Sequence, residues 1–254
     1  MKYSYVRSLA CPSCLQSLSK GVHKISCPQT HAKFQKKSGI WDFLSFRRAS
    51  PSQIENESQH AKGPWGRISD GSYEILAAFA RGNKTLDIAC GEGWIEALAP
   101  ETVGLDFSLS ALKKAKKNGA KNLVWGNAEH LPFLDNTFDL TINSGSLENI
   151  ENPKKAIMEM ARVSKMQIMV VHREFNLPFF RSVRNLFSFI LKIKHQPVEK
   201  PLLFRELTKM LVQANLKVVY KGHWTLPLNY GRAINFLPEF SKVNSCFFVI
   251  TIRQ

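Results

Sequence analysis

The stretch KTLDIACGEGW, residues 84–94, joins an apolar run to a glycine pair and then to a helical segment. A buried strand that turns tightly into a helix is the start of a βα unit, and it fixes the fold class of the residues after it. The pattern repeats along the chain. Apolar runs at 84–90, 103–108, 122–128, 138–145, 167–174, 217–224 and 246–253 predict strands. Helical periodicity is present at 72–82, which closes on Gly82, and at 94–99, 108–119, 152–165 and 202–216. The expectation is an α/β, doubly wound Rossmann-like sheet of seven strands, largely parallel. No helical pattern separates the last two strands, so an antiparallel pair is expected at one edge.

In such a sheet, ligands bind at the carboxyl ends of the strands, where the strand order reverses. Gly91 and Gly93 let the backbone turn there and approach a ligand closely. Asp106 ends the second strand, nineteen residues after Asp87, where an acid can hold the two hydroxyls of a ribose. Asn127, Ala128 and Glu129 end the third, where an amide and backbone groups can meet a base edge. A nucleoside-shaped ligand fits across these three strand ends.

LDIACGEG, VGLDFS, NAEHLPFLDNTFDL and MEMARVSK together resemble the class I S-adenosylmethionine (SAM)-dependent methyltransferases. The resemblance covers about residues 70–175 well and the terminal strands more loosely. It implies that Asp87, Ala89, Cys90, Gly91 and Gly93 lie against the methionine end of SAM. Asp106, with Phe107, would bind the ribose. Asn127, Ala128 and Glu129 would border the adenine, and Asn143 and Ser144 would line the methyl-transfer site. Four positions depart from the family pattern. Ala89 replaces the commonest first glycine, Trp94 stands where a small residue is frequent, and Asn127 replaces an aspartate. SKMQ replaces the glycine pair before the fifth strand.

The N-terminal region carries a second pattern, Cys11-x2-Cys14-x12-Cys27-x3-His31. Two thiolates on a CxxC turn and a Cys/His pair match the four ligands of a tetrahedral, structural zinc site. So short a segment buries too little to fold alone, and a metal supplies the missing stability. Cys90 and Cys246 sit in apolar strand contexts and read as small packed hydrophobes. The expected organisation is a zinc ribbon at 1–46, a polar linker at 47–69, and a methyltransferase domain at 70–254. A substrate-covering lid is expected at about 175–200.

Charge bears on the methyl acceptor. Residues 1–48 hold nine Lys or Arg against one acid, Asp42, within a chain of net charge +15. That is the footprint of a polyanion-binding surface or of a generally basic protein. An N-terminal ribbon on this catalytic domain resembles the bacterial ribosomal-RNA guanine-N1 methyltransferases. The ribbon also resembles small activator subunits of methyltransferases, especially at GIWDFL. The first of these likenesses implies RNA as substrate. A small-molecule or membrane-associated lipid intermediate, such as a quinone precursor, is the alternative, and a noncatalytic SAM-binding scaffold a third. Methyl transfer to a nucleophilic acceptor rests mainly on positioning, so the sequence points only to Glu148 and His172 as candidate bases. No apolar stretch is long enough to span a bilayer and no secretory leader pattern is visible, so a cytoplasmic setting is expected.

Overall fold

The computed structural model of the protein describes residues 5–19, 24–44, 50–63, 71–172, 202–225 and 245–254. The expected lid at 175–200 and both ends of the expected linker lie outside the described residues. The chain begins with three short strands, β1 (Lys24–Ser26), β2 (Lys33–Lys37) and β3 (Ile40–Asp42). Helices α1 (Pro51–Lys62) and α2 (Ser72–Ala80) come next. Then come β4 (Thr85–Ile88), α3 (Trp94–Leu98), β5 (Val103–Asp106), α4 (Leu109–Lys117), β6 (Asn122–Trp125) and β7 (Phe138–Ser144). Helix α5 (Pro153–Val163) leads into β8 (Ser164–His172). Helix α6 (Phe204–Gln213) precedes β9 (Leu216–Thr225) and β10 (Ser245–Arg253). Among the described residues, no helix is long and apolar enough to cross a membrane.

The seven expected strands form one sheet in the order β6-β5-β4-β7-β8-β10-β9. β10 lies between β8 and β9 and runs antiparallel to both. Residues of β4 and β5 are buried at every position, as in a parallel sheet covered on both faces. Gly93 seats the turn after β4 on α4: a Cβ there would lie 2.7 Å from Ala115 Cβ.

The ribbon is not a separate body. β3 pairs in parallel with β6, with Trp41 beside Val124 and Asp42 beside Trp125, so among the described residues the sheet has ten strands. The Phe43 N–H donates to the Trp125 carbonyl at 2.9 Å. Tyr5, Leu9, Phe34, Trp41 and Phe43 share one apolar cluster with Leu86, Ile88, Val124 and Phe133 of the catalytic part. Without β3, β6 would be an edge strand with a row of unpaired backbone groups. The ribbon also grips the loop after β6. Ala10 N–H donates to the Pro132 carbonyl at 3.0 Å, and Leu134 N–H to the Ser8 carbonyl at 2.9 Å. Arg162 of α5 holds the same loop from its other side, donating to the carbonyls of Phe133 and Leu131 and to Glu159.

The polar stretch expected as linker contains helix α1. Ser50 caps it: its hydroxyl accepts from Gln53 N–H, and Gln53 Oε1 accepts from Ser50 N–H. Pro51 occupies the first turn. This is a capping box with a proline where its missing N–H does no harm. The helix lies on α4 through polar contacts. Glu57 accepts from the Ser108 hydroxyl at 2.7 Å and from the N–H and hydroxyl of Ser110. Lys114 Nζ donates to the carbonyls of His60 and Gly63 at the other end of α1. Burial would push the Glu57 carboxyl up, but the donors of Ser108 and Ser110 hold it below its ordinary value.

Candidate cofactor site

A trough runs along the carboxyl ends of β4, β5 and β6. One half, about 420 Å³ counting space open to solvent, is lined by Ser50, Gln53, Leu105, Gly126, Asn127, Ala128 and Glu129. The other, about 910 Å³ counting space open to solvent, is lined by Asn56, His60, Tyr73, Asp87, Cys90, Gly91, Glu92, Trp94 and Ser144. Ala89, Asp106, Phe107, Asn149 and Ile150 line both.

Asp106 stands where the halves meet. Its carboxylate accepts from Gly91 N–H at 2.9 Å and from Ser108 N–H at 2.7 Å, so it ties the turn after β4 to the end of β5. Burial pushes this carboxyl up, opposed by those two donors and by His60. Asp87 is wholly buried and its Oδ1 has no hydrogen-bond partner. Burial, then Glu96 and Asp106, push it well above the usual carboxylate range. The turn after it is strained at one point. Ala89 holds φ of 58°, in the left-handed region, where a side chain costs about 1–2 kcal/mol. This is the position where the sequence departs from the family's glycine.

Most of the expected cofactor residues come together here: Asp87, Ala89, Cys90, Gly91, Asp106, Phe107, Asn127, Ala128, Glu129 and Ser144 all line the trough. Gly93 lies one step behind, packed on α4. Two expectations need correction. Asn143 is buried off the trough, and its Nδ2 donates to the Ile88 carbonyl and the Ser146 hydroxyl, so it holds β7 to β4 and fixes the turn rather than facing a ligand. Glu148 is also buried and does not line the trough. The short turn Leu147–Asn149 directs Leu147 and Glu148 inward, while Asn149 and Ile150 reach the lining. His172 closes β8, and its side chain lies outside the described part. Asn127 is turned back on its own loop, accepting from Glu129 N–H at 2.8 Å. The lining residues missed by sequence include Gln53, Asn56 and His60 on α1, and Tyr73, Asn149 and Ile150 outside it. The legible signal was the capping box at Ser50–Gln53.

In the ribbon, the thiols of Cys11, Cys14 and Cys27 lie within 4.8 Å of one another. His31 is not among them. Its N–H bonds the Cys27 carbonyl, its φ is 55°, and its side chain is exposed. The turn instead brings Thr30 Oγ1 within 3.6 Å of the Cys11 sulfur. Burial would raise the Cys27 thiol, but donors of Thr30 and Gln29 with Cys14 pull it down to about 6.

Comparison with known proteins places this geometry. The family described as "Methyltransferase domain" matches residues 86–168. The demethylmenaquinone methyltransferase of Staphylococcus epidermidis is 37% identical over 180 residues, which are 65% of this chain and 69% of that protein. The chain belongs to the class I SAM-dependent methyltransferases. As a member of that family it is also 39% identical, over 112 residues, to the demethylmenaquinone methyltransferase of Renibacterium salmoninarum, covering 42% of this chain and 47% of that one. The methyltransferase chain spans about half the length of most curated relatives it matches. A SAM-dependent methyltransferase structure from Thermotoga maritima superposes with a TM-score of 0.56 at 19% identity, over 79% of this chain and 97% of that one; this likeness is one of fold.

Proposed function

We propose that the chain transfers the methyl group of SAM to a small-molecule acceptor with an aromatic, quinol-like ring. The observation that carries this is the similarity to the demethylmenaquinone methyltransferases. The trough agrees in chemistry. Its larger half places Tyr73, Trp94, Ile95 and Ile150 beside the polar Ser144 and Ser146, a lining suited to a flat ring with a polar edge.

The residues present also fit the cofactor. Asp106 would take the ribose hydroxyls, and Phe107, Ala128 and Ile150 would border the adenine. The unpartnered Asp87 Oδ1 would meet the cationic amino group. When bound, SAM supplies an electrophilic methyl on a sulfonium centre. The chain's own part is to position the acceptor and exclude water.

RNA as acceptor is the second reading, and it rests on the basic ribbon, where β2 carries Lys33, Lys36 and Lys37. Two of these are engaged within the fold. Lys36 lies over the Trp41 ring at 5.1 Å, and Lys37 pairs with Asp42 at 2.9 Å. The small-molecule reading therefore stands first. The test is to incubate the protein with labelled SAM and either a demethylated naphthoquinol or total RNA, with Asp106→Ala as control. Label in the extracted quinone only with intact Asp106 is the expected result; label in RNA alone overturns it.

The thiols of Cys11, Cys14 and Cys27 would supply three of the four ligands of a structural zinc ion. Two sulfurs on one tetrahedral zinc lie about 3.8 Å apart at the usual Zn–S length, close to the 3.5 Å between Cys14 and Cys27. One zinc per chain by elemental analysis, lost on Cys14→Ser, is expected; a metal-free native protein rejects it.

A further inference from the structure

The trough is acidic. Its larger half holds Asp87, Glu92 and Asp106, and its smaller half adds Glu129 and Glu151. Carboxylates suit the sulfonium and ammonium of SAM. They repel the third charge of its amino-acid end, the carboxylate, which needs a donor or a cation of its own. Among the described lining residues, the one basic side chain is His60.

His60 is held in place from several sides. Its Nδ1 lies 3.9 Å from Glu92 Oε1 in the turn after β4. It faces Asp106 of β5 and its helix neighbour Glu57 closely enough to oppose the rise that burial gives each carboxyl. Its own carbonyl is gripped by Lys114 of α4, whose Nζ also meets the Gly63 carbonyl and Glu92. That lysine is therefore committed to fastening α1 and the turn. Asn56, one helical turn before His60 on the same face, also lines this half, and its Oδ1 is buried without a hydrogen-bond partner.

We propose that His60 binds the carboxylate of the cofactor's methionine end. The inference rests on the trough being the SAM site, and makes α1 a working wall of that site. It also gives α1 a reason to be anchored at both ends: a donor on a fraying helix would be a poor partner for a carboxylate.

The test uses two ligands on one protein. SAM and its decarboxylated analogue share the adenosine, sulfonium and ammonium, and differ only in the carboxylate. Binding of each is measured by calorimetry for the native protein, His60→Ala, His60→Gln and Asp106→Ala. Native protein is expected to prefer SAM about tenfold, the size of one hydrogen bond to a charged group. His60→Ala should erase that preference and leave the analogue's affinity within about twofold. Because the readout is a ratio on the same protein, partial unfolding of a variant cancels, and His60→Gln gives a second, milder case that should reduce the preference. A preference unchanged in His60→Ala, or an equal loss for both ligands, overturns the assignment. If Asp106→Ala binds SAM as well as native protein does, or native protein binds no SAM, the cofactor-site reading itself has failed.

Discussion

Gly104 faces Glu96 so closely that a Cβ on residue 104 would lie 2.7 Å from Glu96 Oε1 and 2.9 Å from the Cys90 sulfur. The glycine in the middle of β5 is there for room: it leaves space for a wholly buried carboxyl. Gly104→Ala should therefore lower stability by about 1–3 kcal/mol, the usual scale for overpacking a core. Glu96→Ala in the same chain should restore part of that loss. Urea denaturation of the two single variants and the double variant measures the coupling, and additive losses would rule the contact out.

The same carboxyl makes a pH prediction. Burial pushes Glu96 up to about 8 from 4.5, so it is protonated in the folded protein and ionised in the unfolded chain between these values. The unfolded state then binds fewer protons, and stability falls as pH rises, by up to ~1.4 kcal/mol per unit. This contribution is complete below about pH 4.5 and gone above about pH 8. Glu96→Gln should show a flatter stability profile than native protein across that window. Parallel profiles would contradict the assignment.

Ala89→Gly should stabilise the protein by about 1 kcal/mol, since glycine takes the left-handed φ of 58° without steric cost. A thermal melt checks it, and a fall in melting temperature would mean the alanine methyl makes contacts that outweigh its strain.

Glu57→Gln should destabilise by about 1 kcal/mol, because a full negative charge at the start of α4 becomes a neutral amide. Since Glu57 fastens α1 without lining the trough, SAM affinity should fall with it. Loss of stability with unchanged affinity would show that α1 keeps its place by other contacts.

Chelation, or Cys14→Ser, should lower the melting temperature of the whole protein in one transition. The ribbon's Trp41 and Phe43 lie in the same apolar cluster as Leu86 and Val124, so neither side unfolds without exposing the other. Two resolved transitions would refute this shared core.

The sheet and most of the trough were legible because both rest on local signals. The apolar runs gave the strands, and the turn after β4 had its glycines in view. α1 was hidden for a physical reason. Its sequence, PSQIENESQHAK, has one large apolar residue, Ile54, and that residue is exposed. A helix polar all round has no stripe to detect; it is held by a cap and by Glu57 and Lys114, whose partners are far along the chain. Glu148 and Asn143 misled for a related reason. Their place after a strand is legible, but which way a turn directs its side chains depends on packing. His31 shows the same limit: spacing brought it near the thiols in sequence, and the backbone turned it outward.

The pairing of β3 with β6 also sets an order of events during synthesis. Trp41 leaves the ribosome long before Val124, and at ordinary elongation rates of about 5–20 residues per second the wait is roughly 4–17 s. Until β4 and β6 are made, Trp41 and Phe43 lack Leu86 and Val124, the partners that bury them in the finished fold. Closing so long a loop is slow relative to local structure. The ribbon's core is therefore completed only once β6 has been made, although its own residues come first in the chain.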